Sequence, residues 1–316
     1  MGDAGTRAPP EQVRGKALTL RTLFLVVSLT LLWGCNWPVM KIGVTELAPL
    51  TFRALTLPFA GIGLLVIALA QRESIRVPRA LWGRLACLAL FNISGWNGFV
   101  LFGVEHLSSG RSAILGYTMP LWATLCAVVV AGERLSLRRV IGLVLGMTGM
   151  LLLIGDEMHQ LRGAPFGVAM ILVAAFSWGL GTALLRRWPM PMSPTALTGW
   201  MIVIGWIPIA LLVPAFDPTP LATELAQLSS RGWFAVAYNI LPAGLLANWA
   251  WFTLARTLPV SLSSLLSLPI PVAGVFAGMI ILGERPGPNE WAALALVVTA
   301  LFVVMFRRGG VPQPAR

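Results

Sequence analysis

The chain has 316 residues, of which 57% are hydrophobic and only 11% charged, and its formal net charge is +11. A soluble domain carries about a quarter charged residues, so the composition excludes an ordinary water-soluble fold. In so apolar a chain the basic excess reads as a surface facing anionic lipid, with no nucleic-acid partner.

Residues 1–18 are polar, contain Pro9-Pro10, and are expected to form a cytoplasmic N-terminal segment. The first apolar run has span length and no small-residue cleavage site after it, so it reads as an uncleaved anchor. Apolar runs follow at 19–40, 47–70, 83–104, 112–131, 140–154, 166–185, 197–214, 233–254, 261–282 and 290–306. Runs of about 20 residues cross roughly 30 Å of hydrocarbon as helices, which predicts an all-α membrane protein of ten spans, the fifth short. A polar connection at 155–165 separates residues 19–154 from 166–306. The longest loop is expected at 215–232, and 307–316 forms a Gly/Pro-rich cytoplasmic tail.

The two halves repeat each other. Gly132-Glu133-Arg134 closes one run and Gly283-Glu284-Arg285 closes another 151 residues later. The same shift pairs Asn97 with Asn248, Leu107 with Leu258, Ser112 with Ser263, Leu115 with Leu266 and Pro120 with Pro271. A shift of 145 pairs Trp33-Gly34 with Trp178-Gly179 and Pro49 with Pro194. Internal repeats in a membrane chain mark transporters.

With both termini in the cytoplasm, 17 of the 23 Lys and Arg lie inside, 5 lie outside, and Arg53 falls within a span. Basic loops stay on the cytoplasmic side, so the charges favour this orientation in an inner-type cell membrane. Five spans per half is an odd number, so the second half must run opposite to the first. Inverted repeats place a shared cavity near the midplane, here expected between the first, third, fourth, sixth, eighth and ninth spans.

Several motifs together resemble the drug/metabolite transporter superfamily, EamA type. They are Trp33-Gly34-Cys35-Asn36, Pro49 through Phe52-Arg53, and Ser112 through Pro120 to Gly132-Glu133-Arg134, then Gly142, Gly146 and Gly149. Trp178-Gly179 and Ser263 through Pro271 to Gly283-Glu284-Arg285 echo them. The resemblance covers residues 20–306. It implies carriage of small organic solutes, often export of amino acids or related metabolites. The second half departs from it: Thr198 stands opposite Arg53 and Gly181 opposite Asn36, so a binding site would be lopsided.

Arg53 is the most informative side chain, because a cation in hydrocarbon is costly unless it is paired or faces water. It could grip a substrate carboxylate with two parallel hydrogen bonds, or snorkel outward, or pair with Glu46 seven residues earlier on one helix face. Asn97 and Asn248 could serve a zwitterionic solute or bond helix to helix, and Asn36, Trp37 and Tyr117 join them as candidates. Trp33, Trp96, Trp178 and Trp249 lie within spans and could stack on a solute or contact a cation. Trp82, Trp188, Trp233 and Trp291 read as interfacial anchors.

Glu133 and Glu284 are expected to pair with the adjacent arginines and to end their helices. Gly142, Gly146, Gly149, Gly274 and Gly278 are spaced for close helix approach. Cys35, Cys87 and Cys126 form no disulfide or zinc pattern. His106 and His159 are expected in outer loops, and no metal or cofactor motif occurs. Without a nucleophile–base or metal constellation an enzyme is disfavoured, and without a filter sequence so is a channel. A cation exporter is the rival carrier, but Glu105 sits only at a span end. The expected partners are a small-molecule substrate and the bilayer, with the chain a monomer or homodimer.

Overall fold

A computed structural model of the chain describes residues 20–132, 136–160, 164–217, 219–257 and 268–305. Among these residues there is no strand, and the chain folds into ten principal helices. The first five are α1 Leu20–Glu46, α2 Pro49–Ala70, α3 Arg79–His106, α4 Ser109–Val130 and α5 Leu137–Gln160. Next come α6 Ala164–Arg187 and α7 Pro194–Phe216. The eighth, α8, runs as Ser230–Ile240, Leu241–Leu246 and Ala247–Thr257 without a break. The last two are α9 Pro269–Leu282 and α10 Pro288–Met305. Leu258, Ser263 and Leu266, the Glu133-Arg134 pair and both terminal segments lie outside the described residues.

Three expected boundaries move. The first helix runs six residues past 40, to Glu46. The fifth apolar stretch is short as expected, Val140–Leu153, but its helix runs on through His159, which was expected in a loop. The expected loop at 215–232 contains a further short helix, Leu221–Gln227.

The halves pack by exchange. α1 lies on α8 and α9, while α6 lies on α3 and α4; α2 pairs with α7, and α5 with α10. The Trp-Gly doublets explain the first two contacts. A Cβ on Gly34 would stand 2.6 Å from the Cβ of Ala273, and one on Gly179 would stand 2.6 Å from the backbone of Ala123, beside Trp122. Ala273 is Trp122 shifted by 151, so the two contacts are repeat-equivalent, and only a glycine lets the helices meet so closely. The expected glycines act in the same way: Gly149 faces the backbone of Ala293, and Gly274 faces Ala113 and Trp37.

One core crosses the repeat boundary, joining Phe52, Val100 and Ile114 to Ile171, Val236, Ile270 and Val297. The outward faces carry Phe24, Leu31, Phe59, Val66, Leu151, Leu211 and Ile280, all exposed. A girdle of large apolar side chains around fully hydrogen-bonded helices suits lipid and not water. Trp82, Trp233 and Trp291 are partly exposed at helix ends, as interfacial anchors are.

Candidate functional site

Prolines interrupt the hydrogen-bond ladders of two helices, leaving α1 one continuous helix and dividing α4. Pro38 cannot donate to the carbonyl of Gly34, and the ladder of α1 is interrupted at Cys35. Pro120 cannot donate to Gly116, and α4 divides into Ser109–Gly116 and Met119–Ala131. A missing donor and a ring clash are the ordinary causes of such breaks. Non-helical backbone at membrane depth is found where it is buried in protein or lines a cavity. Asn36 and Trp37 follow the first interruption, and Tyr117 lies in the second.

The expected aromatic residues fall into two groups. Tyr117 packs on Trp37 at 6.3 Å between ring centroids, Trp37 on Trp96 at 6.4 Å, and Trp96 on Trp178 at 5.7 Å. This chain of rings joins α4, α1, α3 and α6, and its two Trp–Trp pairs turn edge to face as ring quadrupoles prefer. Trp33 instead stacks on Trp251 at 5.9 Å and donates from Nε1 to the Ala243 carbonyl at 3.2 Å. Trp249 belongs with this second group, beside Leu25 and Leu29.

Arg53 is 6% exposed, so it does not snorkel. It does not pair with Glu46 either. Leu47 and Ala48 are extended, so Glu46 and Arg53 are not on one continuous helix, and Glu46 accepts from Ser229 instead. Arg53 Nη1 donates to Asn239 Oδ1 at 2.9 Å and Nη2 to the Met40 sulfur at 2.8 Å. Its Nε has no partner among the described residues, and neither does Asn36 Oδ1. Asn36 and Met40 are four residues apart and share one face of α1. The face of α1 that carries the unpaired Asn36 oxygen thus also meets, through Met40, the guanidinium whose Nε is unpaired. Asn239, buried on α8, was not singled out in the sequence; its counterpart in the first half is Leu88, so the repeat offers no cue to it.

Asn97 and Asn248 sit at equivalent places and make equivalent bonds. Asn97 Nδ2 donates to the Ile93 carbonyl at 3.0 Å and Asn248 Nδ2 to the Gly244 carbonyl at 2.8 Å. Both acceptors belong to π-helical turns, Leu90–Gly95 and Leu241–Leu246, which coincide under the shift of 151. A π turn loosens the regular ladder and is frequent at functional sites. Ser177 Oγ donates to the Phe91 carbonyl of the first turn at 2.8 Å, and Trp33 serves the second. Asn92 is buried against Gly181 and donates to the Leu88 carbonyl.

At the end of the bundle that carries Glu46, the halves are tied by acids capping helix starts. Glu46 accepts from Ser229 N at 2.8 Å and Asp217 from Thr51 N at 2.7 Å. Glu284 accepts from Ser109 N at 2.7 Å and Gly110 N at 3.1 Å. This corrects the expected local pairing of Glu284 with Arg285: the turn aims the carboxylate at the other half. Glu224 approaches Ala48 N; burial lifts its carboxyl above the ordinary pKa, the Ala48 bond lowers it, and Asp217 raises it. Arg111 Nε meets Glu290 Oε1 at 2.6 Å. Lys41 Nζ donates to the Val104 and Glu105 carbonyls.

A bundle of apolar helices, with exchanged halves around interrupted helices and buried polar groups, is the architecture of a membrane transporter. The EamA-like transporter family matches twice, over residues 20–155 and 165–306, and the chain belongs to that family. The transporter YoaV of Bacillus subtilis is 25% identical over 91% of this chain and 97% of its own. The inner membrane transporter YedA of Escherichia coli is 28% identical over 88% of each. An S-adenosylmethionine/S-adenosylhomocysteine transporter of Chlamydia trachomatis is 26% identical over 93% of this chain and 95% of its own. One crystal structure shares the fold, with a TM-score of 0.62 over 89% of this chain and 95% of that one, at 21% identity.

Proposed function

We propose that the chain is a secondary transporter that exports a small organic solute bearing a carboxylate, an amino acid or a related metabolite, by alternating access. The observation that carries this reading is Arg53. It is a buried cation whose hydrogen-bond partners among the described residues, Asn239 and Met40, are neutral, and its Nε is left without a partner there. A buried charge without a counter-charge is costly, and a solute carboxylate supplies one. Asn36 Oδ1 would take an ammonium or hydroxyl of the same solute. Trp37, Trp96, Tyr117 and Trp178 would hold its apolar body, with Trp33, Asn97, Asn248 and Trp249 bordering the path. The Chlamydia relative, named for two small organic solutes, supports the class without fixing the substrate.

The charge count favours the Glu46 end outside. With that end tied by capping acids, the site would load from the cytoplasm. Single cysteines near Arg76 and Arg138 should then be shielded from an impermeant thiol reagent in intact cells, and ones near Asp156 or Asp217 labelled. Labelling near Arg138 would reverse the orientation.

The test of the reading itself is counterflow in proteoliposomes, using panels of labelled anionic, zwitterionic and cationic metabolites. Transport confined to cations, unaffected by Arg53→Ala, would sink it and favour the cation exporter. Against that rival, Glu105 is partly exposed beside His106, away from the aromatic chain.

A further inference from the structure

Glu284 sits in a turn that the sequence alone makes look local, yet its carboxylate reaches the opposite repeat. Gly283 ends α9 at φ +68°, a left-handed cap, and Glu284 N donates back to the Gly278 carbonyl at 3.2 Å. The side chain then receives Ser109 N at 2.7 Å, Ser109 Oγ at 2.9 Å and Gly110 N at 3.1 Å. These amides belong to the first turn of an eight-residue half-helix, Ser109–Gly116, whose free N–H groups and dipole favour an anion. Gly278 leaves the room: a Cβ there would stand 2.5 Å from Ser109 Oγ and would collide with the carboxylate. Arg111 on the same turn is clamped by Glu290 at 2.6 Å, and Glu290 is itself held by Gly287 N at 2.9 Å.

The other end of the half-helix meets the aromatic residues. A Cβ on Gly116 would lie 2.5 Å from Trp37 Cη2 and 3.4 Å from Trp96 Cη2, and Tyr117 packs on the Trp37 ring. Directly beyond lies the break made by Pro120. Between the two ends the contact with α9 is smooth. Ala113 faces Gly274, and the fully buried Ser112 hydroxyl has no partner among the described residues. Eight helical residues span about 12 Å, so one rigid piece reaches from the carboxylate to the rings.

We propose that Ser109–Gly116 is a moving arm that seals the candidate site from the Glu46 end, with Glu284 as its latch and the Gly116–Pro120 break as its hinge. Glu284 is thus a positioning residue for transport that touches no substrate. The inference rests on the transport reading above. Solute contact with Trp37 or Tyr117 bears on the hinge end of the arm, and release of Ser109 and Gly110 lets the arm swing.

The experiment starts from a chain with Cys35, Cys87 and Cys126 replaced by Ala and with Ser112→Cys added. In lipid nanodiscs, a hydrophilic maleimide should label this cysteine slowly. Adding Glu284→Gln should speed labelling about tenfold, the effect of shifting a two-state equilibrium by one decade. An unchanged rate overturns the latch. The second arm keeps Glu284 and places Cys at Arg111 and Glu290. Oxidative cross-linking of this pair should stop transport in proteoliposomes, and reduction should restore it. Full transport through the cross-linked protein overturns the moving arm. The labelling comparison needs no solute, so it decides the latch even if every transport assay is negative and the carrier reading falls.

Discussion

The two halves share their scaffold and differ in their chemistry. Both open on Trp-Gly, and both glycines admit the fourth helix of the opposite half at the same register. Both have a π turn at the same place in the third helix, with an asparagine amide bonded to the same carbonyl. Both close the fourth helix with a left-handed glycine. Yet Pro38 removes one ladder hydrogen bond from α1 near Cys35, which stays in a helical conformation, whereas α6 has Ala183 at the matching position. Under the shift of 145, Thr198 and Gly181 stand where the first half has Arg53 and Asn36. The features that hold helices together recur because each half must solve the same packing problem. The unpaired polar atoms of the candidate site among the described residues, Arg53 Nε and Asn36 Oδ1, both belong to the first half.

Forcing the halves to be alike is the harshest test of this division. Thr198→Arg would place a second cation within a membrane span at a half-buried position, costing several kcal/mol unless it finds a counter-charge or water. Membrane-inserted protein, measured by quantitative blotting, should fall sharply while Arg53-bearing wild type accumulates. Normal abundance and transport would mean that the two positions are interchangeable.

Arg53→Ala acts in the other direction and should weaken solute binding by about 100-fold, as truncating one member of a buried charge pair does. Arg53→Lys should recover only part, because an ammonium lacks the planar fork. Equilibrium binding to purified protein reads both, with size-exclusion profiles confirming the fold. Undiminished binding by Arg53→Ala would assign the guanidinium to packing.

Asn97→Leu and Asn248→Leu remove equivalent bonds, each worth about 1 kcal/mol, so their melting temperatures should drop alike. Transport should fall further than abundance in both, and unequally, because the site is lopsided. Equal losses in transport and in abundance would leave the pair purely structural.

Gly132→Ala and Gly283→Ala should each cost roughly 1–2 kcal/mol through the left-handed backbone alone, since a Cβ at either meets nothing within 4 Å. Thermal unfolding of the two variants should coincide. Smallest of all is Glu224→Gln. The folded state raises this carboxyl's pKa, so the fold favours its proton, and ionisation costs stability above the unfolded pKa. The amide should therefore unfold slightly higher at neutral pH, with the gain vanishing in acid, where both states of Glu224 carry the proton.

Much of this was legible before any coordinates. Ten apolar runs, the duplicated Gly-Glu-Arg and Trp-Gly signatures and the odd count per half carry the membrane class and the repeat, because lipid admits only apolar, internally bonded helices and so writes them plainly into composition. Arg53 stood out for the same reason. The glycine spacings also read correctly, since a missing side chain has one common use between helices.

Side-chain partners were another matter. That Trp37, and not Trp33, joins Trp96 and Trp178 depends on which face of α1 turns inward. That Arg53 meets Asn239, 186 residues away, and that Glu284 reaches Ser109, 175 residues away, depend on how the halves exchange helices. Even the π turns are invisible in a single sequence, because one extra residue per turn barely alters an apolar pattern. Sequence alone determined the solvent, the repeat and the one cation worth watching, since burial in lipid constrains each residue where it stands. Only the tertiary structure decided which polar groups meet and which are left without a partner, because that is fixed by contacts between residues far apart in the chain.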